Sequence, residues 1–194
     1  GLGQSTPPAS VDGSSGSATR VAAGLQHACA IQSGSGAVVC WGANGSGQST
    51  PPDSVNGTSG AATSISAGGS LSCAIQSATD AVVCWGSNSY GAATPPNSVN
   101  GTSGTASAIA TGGSQSCAIQ SGTGAVVCWG SDGSEQSTPL SSVDGSSGGA
   151  AAISAGAVDS CAIQIGSLSV VCWGGTDFGQ STPPDPVTGV SGNA

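Results

Sequence analysis

An all-β array of tandem units is the fold class this sequence predicts, and three observations predict it. One block occurs four times at a fixed spacing of 44 residues: CAIQSGSGAVVCWG from Cys29, CAIQSATDAVVCWG from Cys73, CAIQSGTGAVVCWG from Cys117 and CAIQIGSLSVVCWG from Cys161. A unit this small cannot bury an apolar face alone and must stack on its copies. Val, Ile and Trp also recur at fixed positions between turn signals rich in Gly, Asn and Asp, the pattern of short strands. Finally, every unit holds two cysteines 11 positions apart: Cys29 and Cys40, Cys73 and Cys84, Cys117 and Cys128, Cys161 and Cys172. Residues 1–194 therefore form a single repeat array, with full units at 4–47, 48–91, 92–135 and 136–179 and a partial fifth at 180–194. The opening GLGQSTPP aligns with Gly45 to Pro52, as in a mature form or a window cut from a longer precursor.

Each unit opens on a proline step (Thr6-Pro7-Pro8, Thr50-Pro51-Pro52, Thr94-Pro95-Pro96, Thr138-Pro139-Leu140). Proline has no N–H to donate, so this stretch reads as a connector or sheet edge. A Val follows, then Asp12-Gly13, Asn56-Gly57, Asn100-Gly101 or Asp144-Gly145, a tight-turn signal. Each of these turns offers at most one carboxylate, which favours a plain turn over a calcium site. A short strand centred on Val21, Ile65, Ile109 or Ile153 comes next and ends at Gly24, Gly68, Gly112 or Gly156. The cysteine-bearing hairpin closes the unit. With its tip at Gly34-Ser35, Cys29 faces Cys40 and Ile31 faces Val38 on one side, while Ala30 faces Val39 and Ala28 faces Trp41 on the other. The Ala28 position is Ser72, Ser116 and Ser160 elsewhere, leaving room for the indoles of Trp41, Trp85, Trp129 and Trp173. Both faces are apolar, so neighbouring hairpins are expected to cover them. The constant Gln32, Gln76, Gln120 and Gln164 are expected to bond backbone between units.

Composition narrows the function classes. The chain has no Lys, one Arg (Arg20), one His (His27) and a net charge of −8. Nucleic-acid binding needs clustered cations, and none exist. Anionic membrane surfaces are disfavoured for the same reason, and no apolar run approaches the ~20 residues of a membrane span. Eight cysteines at one repeated spacing read as four disulfides, one per unit. Zinc is disfavoured, because the pairs lack ligand spacing and there is no supply of His. Disulfides in this number place the protein outside the cytosol, secreted or at the cell surface. A sparse core makes such staples useful, at about 3 kcal/mol each.

The string GLQHACAIQSGSGAVVCWGANGSGQ resembles the repeat of the RCC1 family, in which a Gly-x-x-His segment leads into a strand and the unit ends in Trp-Gly-x-Asn with a later Gly-Gln. The likeness covers all four units and is nearest to compact bacterial members, including the secreted β-lactamase-inhibitor type. It implies a four-stranded antiparallel blade per unit, arranged as a propeller. Familiar members close with seven blades; this chain has four and a fraction. Both a closed ring and an open twisted stack therefore stay in view. The nucleotide-exchange role of the nuclear member does not suit an acidic chain rich in disulfides, and is not carried over.

No residue set supplies a nucleophile with a base beside it, so the chain reads as non-enzymatic, with no catalytic residue, cofactor or metal. The leading expectation is a structural subunit of an extracellular fibre or surface assembly. Its ends are complementary head to tail, generating a ring or a polymer. The alternative is a secreted binding module — adhesin, lectin-like or inhibitor propeller — with a protein or glycan ligand held by the loops after each Trp-Gly. These loops carry Tyr90, Asp132, Glu135, Asp177 and Phe178, and aromatics on loops are common contact anchors. Asn44, Asn56 and Asn100 match the N-glycosylation pattern.

Overall fold

The computed structural model describes residues 2–189. It contains four three-stranded antiparallel sheets, one per unit. They are β1 (Ala18–Ala23), β2 (His27–Gln32) and β3 (Val38–Gly42); β4 (Ala62–Ala67), β5 (Leu71–Gln76) and β6 (Val82–Gly86); β7 (Ala106–Thr111), β8 (Gln115–Gln120) and β9 (Val126–Gly130); and β10 (Ala150–Ala155), β11 (Asp159–Gln164) and β12 (Val170–Gly174). The hairpin register is the one the Gly34-Ser35 tip predicts: Cys29 opposite Cys40, Ile31 opposite Val38, Ala28 opposite Trp41. A bulge near the start of each first strand, between Ala18 and Arg20 in the first unit, shifts its register.

The blades have three strands where the family resemblance implies four. The proline segment takes the place of the outer strand without becoming one. Its backbone is spent on turns, with Thr50 N–H donating to Gly47 O and Val55 N–H to Pro52 O. The prolines have no N–H to offer a ladder. What remains is one backbone–backbone bond to each of the first three sheets: Val38, Val82 and Val126 donate to Val55, Val99 and Val143 of the following unit at 2.8–2.9 Å. Those three valines are fully buried.

Stacking is directional. Each blade has a forward face carrying its cystine and a back face carrying its Trp. The first inter-blade core joins Cys29, Ile31 and Val38 of blade 1 to Ala62, Ile65, Ala74 and Trp85 of blade 2. Two further cores repeat this between blades 2 and 3 and between blades 3 and 4. A fully buried Ile or Val side chain contributes roughly 1.5–3 kcal/mol, and Ile31, Ile75 and Ile119 are all 2–3% exposed. No apolar core among the described residues joins blade 4 back to blade 1, so the sheets form an open array. The forward face of blade 4 stays uncovered: Ile163 is 37% exposed. On the back face of blade 1, Val21 is 71% exposed, where Ile65 and Ile109 are at 9%. The fifth unit repeats the turns of the earlier proline segments within its described part, Thr182 N–H donating to Gly179 O and Val187 N–H to Pro184 O. It forms a short helix α1 (Asp185–Thr188), and Val187 is exposed.

First strands meet along the array axis, where backbone bonds link successive turns. Leu25 N–H donates to Gly68 O, Gly69 N–H to Gly112 O and Gly113 N–H to Gly156 O, at 3.0–3.1 Å. The approach is close enough that a Cβ on Gly112 would collide with the carbonyl of Gly156 and the side chain of Gln115. Gly45 on an outer loop has open space around it. Gly112→Ala should therefore lower stability by about 2 kcal/mol or more, while Gly45→Ala stays within about 0.5 kcal/mol; denaturant titration of both variants checks this.

Candidate functional site

All eight cysteines are bridged within their own units, with opposed Cα atoms 4.0 Å apart. At each internal junction a cystine meets a serine of the next blade. Cys29 Sγ lies 3.6 Å from Ser72 Oγ, Cys73 Sγ 3.7 Å from Ser116 Oγ, and Cys117 Sγ 3.6 Å from Ser160 Oγ. Each serine donates in turn to a carbonyl at the start of its own unit, Gln48, Ala92 or Gln136, at 3.1–3.2 Å. The same carbonyls accept the indole N–H of Trp85, Trp129 and Trp173 at 2.9–3.0 Å. Trp41 donates likewise to Gln4 O. The serines therefore do more than leave room for an indole: they tie strand, cystine and unit start together. Their recurrence in three units was the available signal.

Gln32, Gln76, Gln120 and Gln164 bond backbone as expected, but inside their own units. Their amide nitrogens donate to Ser10, Ser54, Ser98 and Ser142 carbonyls at 3.1–3.5 Å. The hairpin end points back over its own proline segment, so these amides reach that segment and not the neighbouring blade.

His27 is 1% exposed at the first junction. Its Nε2 lies 2.8 Å from Ser72 Oγ, and since Ser72 spends its own proton on Gln48 O, Nε2–H is the donor. Nδ1 is buried without a partner. Charging the ring would place a second N–H there with nothing to accept it, and burial holds the imidazole pKa below 6.5. Leu71, Gln115 and Asp159 occupy the same position in later blades. The Gln115 amide donates to Gly156 O and Asp159 O.

The loops after Trp-Gly are the variable surface. Tyr90 is 75% and Phe178 94% exposed, but they stand on blades 2 and 4, which are not neighbours. Asp132 is committed to its own loop, accepting from Ser137 N–H and Thr138 O–H at 2.8 Å. Glu135 takes a positive φ of 61° in a slot that is glycine in the other loops. Asp177 is exposed. Asn44 is exposed and donates to Thr50; the Asn56 and Asn100 amides donate to Pro51 and Pro95 carbonyls within their turns. The Asx turns at Asp12 and Asp144 hold those carboxyls below 3.8, chiefly through bonds from Ser14 and Ser146. Among the described residues no three His, Cys, Asp or Glu side chains gather as metal ligands. Among the described residues no helix is long and apolar enough to cross a membrane.

The model of the Regulator of chromosome condensation (RCC1) repeat matches residues 18–48. No curated protein is matched by sequence. The array superposes on the CRINKLY WD40 ectodomain of the Arabidopsis thaliana receptor kinase ACR4 with a TM-score of 0.60 and 26% identity, covering 82% of this chain and 50% of that one. The entire ectodomain of the Physcomitrella patens receptor kinase CR4 gives 0.64 at 24% identity, covering 88% and 44%. Saccharomyces cerevisiae Prp20p, studied for its binding to Gsp1p and histones, gives 0.65 at 18%, covering 92% and 48%. The chain thus spans about half the length of these structures. Its units are RCC1-like β-propeller blades, each with an internal disulfide.

The His27 environment predicts a pH response. Above about 6.5 the ring is neutral folded or unfolded, and it costs nothing. As pH falls below that value the unfolded chain takes up a proton that the folded chain resists, so stability declines. Asp12 and Asp144 act only below 3.8. Thermal melts from pH 7 to 5 should show the decline in the native chain and its loss in His27→Gln, which copies blade 3.

Proposed function

We propose that this open array of RCC1-like blades is a non-enzymatic, secreted structural protein that self-associates head to tail, as a subunit of an extracellular fibre or surface assembly. One observation carries the reading: the two outer faces are the two halves of a junction the chain already makes three times. Blade 4 presents Cys161, Ile163 and Val170, the counterparts of residues that blades 1–3 bury under the next blade. Blade 1 presents Val21 and a partly exposed Trp41, the counterparts of residues buried on the receiving side. Unlike, complementary ends generate heterologous contacts, which close into rings or run on as filaments. Four disulfides fit an oxidising, non-cytosolic setting.

A second reading, a secreted binding module, is favoured by the exposed aromatics Tyr90 and Phe178 on the variable loops.

Self-association should be visible as concentration-dependent growth in light scattering and as rings or filaments in electron micrographs. Val21→Lys or Ile163→Lys alone should shift the protein to monomers without altering its circular dichroism. Native material that stays monomeric at high concentration would refute the assembly reading.

A further inference from the structure

Three departures from the repeat meet at one place. The Gln that begins the other units is Ala92 in the third; the polar residue at the position of His27, Gln115 and Asp159 is Leu71; and the second loop carries the only Tyr, Tyr90. Two of these positions, Leu71 and Ala92, line a cavity of about 230 Å³ between blades 2 and 3, together with Leu25, Ser87, Ser89 and Ser114 among others, and Tyr90 follows Ser89 in the chain. No charged side chain lines it.

The other loops show what such a cavity holds. Gln48, Gln136 and Gln180 fold their carboxamides back into the preceding loop. Each amide oxygen accepts the N–H of the residue two before it, Ser46, Ser134 or Phe178, at 2.8–2.9 Å. The amide nitrogen of Gln136 donates to Ser131 Oγ at 3.2 Å. In the second loop the corresponding groups are Tyr90 N–H and Ser87 Oγ, and Ala92 is too short to reach either. Ser87 Oγ pairs with Ser89 Oγ at 3.2 Å instead, and Tyr90 takes a positive φ of 59°. The loop therefore keeps the donor and acceptor of a carboxamide site but has lost the carboxamide.

We propose that this cavity recognises the acetamido group of an N-acetylated hexosamine. The acetamido carbonyl takes the N–H of Tyr90, the counterpart of the N–H that each glutamine oxygen accepts, and the acetamido N–H donates to Ser87 Oγ as Gln136 does to Ser131 Oγ. Its methyl has an apolar floor in Leu71, which is buried at 1% exposure, and a wall in Leu25. The hydroxyls of Ser89 and Ser114 suit sugar hydroxyls. Tyr90, three-quarters exposed in the turn between Ser89 and Ala92, offers an amphipathic ring at the rim. The neutral lining excludes a charged ligand in favour of a neutral one. The volume admits one substituent and part of a ring, below the range of drug-sized pockets.

Calorimetric titration with triacetylchitotriose tests the proposal on the intact chain. The native protein should bind with a dissociation constant of about a millimolar or better, and maltotriose, with the same ring count and no acetamido group, should not bind. Ala92→Gln supplies the missing carboxamide from within and should abolish binding while keeping or raising the melting temperature. Ser87→Ala should weaken binding several-fold with the fold intact, and Leu140→Ser, at an exposed position away from the cavity, should leave it unchanged. Absence of binding to the native chain would overturn the assignment, as would equal binding by Ala92→Gln. A glutamine-containing tripeptide that binds where the acetylated sugar does not would overturn the sugar assignment too, in favour of a peptide carboxamide.

Discussion

The architecture depends on the contact between the cystine face of one blade and the tryptophan face of the next. A single three-stranded sheet with a 44-residue repeat cannot exclude water from either side. Each junction solves this by apposing an Ile and a Val beside a disulfide to a Trp, an Ala and an Ile from the following unit. The disulfide pins the hairpin whose side chains form that surface. The serine opposite Trp85, Trp129 or Trp173 donates to the carbonyl at the start of its own unit, tying that unit's first residue to the junction. Backbone bonds between successive glycine turns set the spacing along the axis.

This contact is polar in direction, and the direction has consequences. Because the two faces of a blade differ, an open array has two different ends, each resembling half of a working junction. The same logic explains why identical residues have different environments. Ile31 is buried and Ile163 is exposed, although their hairpins have the same register. Position in the array, and not local sequence, decides burial at the ends.

Variation among the blades follows a second logic. The repeat fixes what the junction needs and leaves the turns near the axis and the loops after Trp-Gly free to change. At the first junction a His occupies a buried slot with one ring nitrogen unsatisfied. At the second, a Leu and an Ala replace polar residues and a cavity results. At the third, a Gln fills the slot and satisfies two carbonyls. The three junctions share a frame but differ in polarity, which is how a repeat array can acquire local chemistry while its fold stays constant.

The sequence by itself determined the period, the hairpin register and the pairing of the cysteines. Each follows from a short-range rule: a β-strand alternates sides every residue, and the turn at Gly34-Ser35 fixes which positions oppose. The turns at Asp12, Asn56, Asn100 and Asp144 were legible for the same reason, since an Asx side chain bonds backbone two residues on. Only the tertiary structure decided the rest. The sequence left the proline segment as a connector or a sheet edge; it is a connector with a single backbone bond to a sheet, not the fourth strand the family resemblance implies, because its remaining amides are spent on turns. The glutamine amides stayed within their units because of where the hairpin end lies over its own proline segment. The open array, the unsatisfied nitrogen of His27 and the cavity beside Ala92 arise from residues more than forty positions apart meeting across a junction, and no local pattern in the chain encodes that distance.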